Sequence, residues 1–132
     1  MQRLVTALLA TLLLSACSIV EKEQKSQTLH NATRYYEYAI RWGDYDKANG
    51  MLSPEGLSRS PAPESLEKFR VTSYKLLDSS LSEDGLVLNQ VIDIHYYNED
   101  NLREKNIIDR QKWVYDQEAD FWYLESPLPS FK

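Results

Sequence analysis

The chain is poor in the residues that many functions need. One cysteine, Cys17, stands among 132 residues, so no intramolecular disulfide can form. Two histidines, His30 and His95, without a second cysteine do not make a usual zinc site, and no metal is expected. The four glycines never share a loop, which excludes a glycine-rich phosphate cradle. The acidic loops at 98–101 and 116–120 lack the ligand spacing of a calcium loop. No nucleophile elbow and no cofactor motif is present, so no cofactor is expected. Long blocks of one charge are absent, and the signs are mixed as on an ordinary solvated surface. The apolar run at residues 4–16 (LVTALLATLLLSA) is thirteen residues long. A membrane-spanning helix needs roughly 20.

What is present begins with that run. It follows a single charge, Arg3, and gives way at once to a polar stretch, EKEQKSQ. A positive leader and a short apolar middle make a signal-peptide pattern. At its end stands Leu14-Ser15-Ala16-Cys17. This resembles the lipobox of bacterial lipoproteins: a branched apolar residue, two small residues and a cysteine whose sulfur accepts a diacylglyceryl group. The resemblance implies a signal peptide over residues 1–16, cleavage before Cys17, and palmitate-type acyl chains on the new N-terminus. It also implies a sorting outcome. Aspartate after the cysteine favours the inner membrane; here the residue is Ser18, so the expected location is the outer membrane, facing the periplasm. The cleaved chain keeps 14 basic and 20 acidic groups, a net charge of −6. That balance argues against nucleic acid as a partner, because such binding relies on Lys and Arg at phosphates. It argues equally against a polybasic membrane-binding face.

Residues 17–27 read as a lipidated tether, polar and without a period. The domain is expected over 28–132. Residues 28–42 carry Leu29, Ala32, Tyr36, Ala39 and Ile40 at helical spacing, and Gly43 supplies a left-handed stop. Asp44 can cap a second helix over 45–52, and Ser53-Pro54 can open a turn over 54–58. Residues 59–65 (RSPAPES) read as an extended surface connector. The period then falls from about 3.6 to 2, with strand candidates at 69–81, 86–97, 103–115 and 121–125. Asp84-Gly85 is a hairpin signal, and the other breaks are short polar loops. On the second strand, Leu86, Leu88, Gln90, Ile92, Ile94 and Tyr96 share the core-like face; Asp93, His95 and Tyr97 share the mixed one.

These elements predict an α+β fold: N-terminal helices packed on a curved four-stranded antiparallel meander, cone-like in form. The stretch YYEYAIRWGDYDKANGMLSPEG and the closing WVYDQEADFWYLESPLP resemble the opening and last hairpin of the nuclear-transport-factor-2-like, or cystatin-like, cone family. The resemblance covers roughly residues 28–128. It departs in the middle: the family often places a third helix and a hairpin where this chain has only residues 53–65.

Four side chains stand out as a pocket or surface group. Asp93 and His95 could form an acid/base couple, or a solvent-side pair of the kind common two residues apart on a strand. Tyr96 and Trp113 belong to an aromatic set that packs helix against sheet or lines a binding surface. Alternation puts some of Tyr35, Tyr38, Tyr97 and Trp122 outside the core. Three functions compete. The favoured one is a non-enzymatic binding or accessory module for an envelope protein. The resemblance offers the second, an isomerase- or dehydratase-type pocket enzyme using Asp93, His95 and Tyr96. The third is a small-ligand carrier. The resemblance also implies homodimerisation through the open sheet face.

Overall fold

The structure is a computed structural model that describes the backbone of residues 2–132 and the side chains of residues 17–132. The side chains of residues 1–16, including Arg3 and the motif residues Leu14, Ser15 and Ala16, lie outside it, so the signal-peptide reading falls outside the described residues. No helix among the described residues is long and apolar enough to cross a membrane. The chain divides into two compact units, Met1–Asn31 and Ala32–Lys132.

The first helix, α1, is Gln2–Arg41. It starts well before the apolar stripe that predicts it. Residues 18–27 are helical although almost all are exposed. Their Glu, Lys and Gln residues are good helix formers, and Glu21 sits four residues ahead of Lys25, the favourable order for a charged pair. In the second unit the stripe does face inward: Tyr36, Ala39 and Ile40 are buried. α1 stops as expected at Gly43, which has φ +70°. The Asp44 N–H donates to Ala39 and the Gly43 N–H to Ile40, so the last carbonyls find donors.

α2, Tyr45–Asn49, is capped by Asp44, whose carboxylate accepts from the Lys47 N–H. It ends three residues short of the expected 52. Residues 51–53 turn aside to join the sheet: the Leu124 N–H donates to Met51 and the Ser53 N–H to the Leu124 carbonyl. Tertiary pairing here overrides local helical preference. α3, Pro54–Arg59, is capped by the Ser53 hydroxyl. Its Gly56 lies against the chain beyond Leu124; a Cβ there would come within 2.9 Å of the Leu124 carbonyl oxygen. The connector at 59–65 is not wholly extended. A short helical turn, α4, spans Pro63–Leu66, with Pro63 at its first position and Leu66 buried. The anchor of that turn lies one residue beyond the proline-rich stretch, which hides it.

Four strands follow: β1 Phe69–Leu81, β2 Val87–Asn98, β3 Glu104–Asp116 and β4 Phe121–Leu124. They form one antiparallel meander, in the order β1-β2-β3-β4. The helices pack on this open, curled sheet, and the α+β expectation holds. Gly85 turns the first hairpin at φ +73°, and the Asp84 carboxylate accepts from the Leu86 N–H. The β2–β3 register is unbroken, pairing Leu88 with Trp113 and Ile94 with Ile107. β1 carries two irregularities, at Val71/Ser73 and Leu76/Asp78, which bend it.

Aromatic contacts fill the core in two places. Tyr36 of α1 meets Trp113 of β3 edge-on, with ring centres 5.5 Å apart. Nearer the chain end, Phe131 lies 4.5 Å from Tyr96 and 5.5 Å from Phe69. Residues 125–132 thus close one end of the core, held also by the Leu128 N–H donating to Ser60. Phe131→Ala should cost about 3–5 kcal/mol in a denaturant titration, the usual range for an emptied aromatic site. A loss under about 1 kcal/mol would show that this tail does not complete the core.

Candidate functional site

β2 divides the four sequence candidates between opposite faces. Asp93 and His95 point outward. The His95 Nε2 lies 3.2 Å from the Asp93 carboxylate and its Nδ1 lies 3.4 Å from Glu104. The Asn106 amide donates to the other Asp93 oxygen at 3.0 Å. That hydrogen bond, reinforced by His95, holds the Asp93 carboxyl below the usual carboxylate range. Tyr96 and Trp113 lie on the inner face and are buried. The Tyr96 hydroxyl exchanges hydrogen bonds with the backbone of Lys132. Asp93, His95 and Tyr96 therefore do not converge on one space.

The inner face holds polar groups that the sequence reading did not single out. Alternation along β3 turns Ile107, Asp109, Gln111 and Trp113 inward, opposite Ile94, Ile92, Gln90 and Leu88. Gln111 is 2 % exposed and is the hub of a short chain. Its amide nitrogen donates to the Tyr74 hydroxyl and to Asp109, each at 2.8 Å. Its amide oxygen accepts from the Trp113 indole N–H at 3.2 Å. Burial pushes the Asp109 carboxyl up to about 6, and the Gln111 hydrogen bond only partly offsets it. The Tyr36 hydroxyl is fully buried without a hydrogen-bond partner. Desolvation first, and then the nearby Asp109, raise its pKa well above the usual tyrosine value. The signal for this group is in the sequence: the same two-residue period that buries Trp113 must also turn Asp109 and Gln111 inward.

Asp109 also reaches a cleft of about 550 Å³ that opens between residues 107–110 of β3 and residues 127–130 of the tail. Elsewhere the surface carries an aromatic stripe. Tyr35 and Tyr38 near the end of α1 and Trp42 in the turn just past it recur at spacings of three and four, and Tyr38 and Trp42 are 60 % and 72 % exposed. The Tyr38 and Trp42 rings lie 6.0 Å apart. Trp122, by contrast, is buried; pairing with Tyr115 across β3–β4 turns it inward, out of the exposed set. Cys17 is exposed with a free thiol. Among the described residues no cluster of three His, Cys, Asp or Glu could hold a metal ion.

The Asp109 shift has a direction that can be measured. Its folded pKa of about 6 exceeds the ordinary 3.8, so the folded chain binds more protons than the unfolded one between those values. Stability from this group is present at low pH and falls as pH rises from about 4 to about 6. In Asp109→Asn this part of the slope should vanish from urea titrations across that range. An unchanged slope would show that Asp109 titrates normally. Comparison of the chain with protein-family models, curated proteins and solved structures finds no match.

Proposed function

We propose that the chain is a lipid-anchored envelope protein whose domain binds a partner protein without performing chemistry. The observation that carries the binding reading is the exposed stripe of Tyr35, Tyr38 and Trp42. Exposed large apolar groups that cluster, rather than scatter singly, mark interaction surfaces. Tyrosine and tryptophan are the residues most enriched where binding energy concentrates. The separation of Asp93 and His95 from Tyr96, on opposite faces of β2, supports the non-enzymatic reading over the pocket enzyme.

The anchor reading rests on Leu14-Ser15-Ala16-Cys17 and on an accessible thiol at Cys17. Each buried acyl methylene contributes about 0.8 kcal/mol, and two or more chains are needed for a stable hold. Ser18 after the cysteine supports an outer-membrane address on the periplasmic side.

Crosslinking in intact envelopes tests both parts. The chain with Tyr38→Ala and Trp42→Ala should stay in the membrane fraction and lose a partner that the unaltered chain captures repeatedly. Cys17→Ala should lose acyl labelling and membrane pelleting. The same capture by the double variant would remove the stripe from the account; unchanged fractionation of Cys17→Ala would remove the anchor.

A further inference from the structure

The outer edge of β3 is bare over most of its length. β4 pairs only with residues 113–116. Just beyond, the Lys112 N–H donates to the Ser126 hydroxyl at 2.8 Å and its carbonyl accepts from the Glu125 N–H at 2.8 Å. Pro127 and Pro129 then carry the tail away from the strand, since proline has no N–H to continue a ladder.

Backbone groups alternate in direction along an antiparallel strand. Lys112 faces the edge, and Tyr115, whose N–H donates to Leu86, faces β2. Ile108 and Arg110 therefore turn their N–H and C=O groups outward, into the cleft of about 550 Å³ beside the tail. Its floor includes Asp109, and Leu128 and Pro129 form part of the far wall. Asp109 accepts a hydrogen bond from Gln111 and has no basic partner among the ion pairs of the described residues.

We propose that this cleft binds an extended segment of a partner polypeptide as an added strand along β3, with a lysine or arginine of that segment set against Asp109. Alternating donors and acceptors at strand spacing are what an extended backbone supplies, and unpaired sheet edges are used in this way. The charge follows from Asp109, a poorly hydrated carboxylate that lacks a counter-ion. Arg110 and Lys132 also line the cleft, but alternation sends the Arg110 side chain to the opposite face of the strand from Asp109, and neither residue forms an ion pair with it. A second copy of this chain fits less well. Two β3 edges paired about a twofold axis near Asp109 would set like charges against each other, which is destabilising. This site is separate from the stripe at the end of α1, so either surface can fail without the other.

The test uses the full isotope-labelled chain in detergent and a synthetic peptide of about eight residues, alternating valine and threonine around one lysine. The Ile108 and Arg110 amides should exchange freely alone and gain at least about tenfold protection with peptide, a change of about 1.4 kcal/mol. A peptide methylated on alternate backbone nitrogens should not bind. Replacing its lysine by glutamate, or Asp109 by Asn, should weaken binding about tenfold. Ile108→Pro removes one edge N–H and should abolish binding; if that variant unfolds, the methylated peptide and Asp109→Asn decide. The proposal is overturned by unchanged Ile108 and Arg110 amides at about 1 mM peptide, or by equal binding of the methylated peptide. Protection that rises with protein concentration alone would also overturn it and assign the edge to a second copy.

Discussion

An unbroken antiparallel register between β2 and β3 decides which side chains face the helices and which face water. Leu88 stands against Trp113 and Ile94 against Ile107, with no bulge between them. Because side chains alternate with a period of two, a slip of one residue would exchange the two faces of β3. Trp113 would leave Tyr36, and Ile108 and Arg110 would enter the core. β1 is also paired along its length with β2, but with two irregularities, at Val71/Ser73 and Leu76/Asp78, that bend it. The aromatic contact between Tyr36 and Trp113 therefore depends on β2–β3 pairing and in turn fixes the position of α1 residues 36–40 on the sheet.

That register has a cost as well as a benefit. Placing Gln111 and Asp109 inward beside Tyr36 and Tyr74 buries polar groups, and one of them, the Tyr36 hydroxyl, has no partner. An unmade buried hydrogen bond costs about 1–3 kcal/mol. An apolar residue at 109 would avoid the desolvated carboxylate altogether. Gln111, Asp109, Tyr36 and Tyr74 thus lie together, beside a stretch of β3 edge that no strand covers, while the other buried group without a partner, the Trp122 indole N–H, lies on β4. Stability and recognition meet on β3: its inward face holds the core, and its outer edge remains available.

Most of the architecture was legible from residue order because local chemistry and tertiary structure agree. Gly43, Asp44 and Ser53 act at the positions their chemistry predicts, and the ends of all four strands lie within one residue of the pattern. Disagreement arises where distant contacts intervene. α2 ends early because Met51 and Ser53 bond to Leu124, more than 70 residues later. α4 forms because Leu66 finds a buried site just past a connector rich in proline and serine. The site was less legible than the fold. Asp93 and His95 are adjacent as their spacing requires, but the sheet separates them from Tyr96 and Trp113. Asp109 was readable in principle from alternation alone. The cleft was not, because its far wall is the tail at 127–130, and no local pattern shows where a tail will lie.

Interstrand proton contacts test the register most directly. In an antiparallel pair the α-protons of residues outside the hydrogen-bonded rings approach closely, because their Cα atoms lie about 4.5 Å apart. Strong nuclear Overhauser contacts are expected between the α-protons of Asp93 and Ile108 and of Val91 and Arg110, with a further contact between the Tyr36 and Trp113 rings. The same contacts shifted by one residue, from Asp93 to Ile107 or to Asp109, would put the other face of β3 in the core. The inner polar group and the open edge described above would then both be lost.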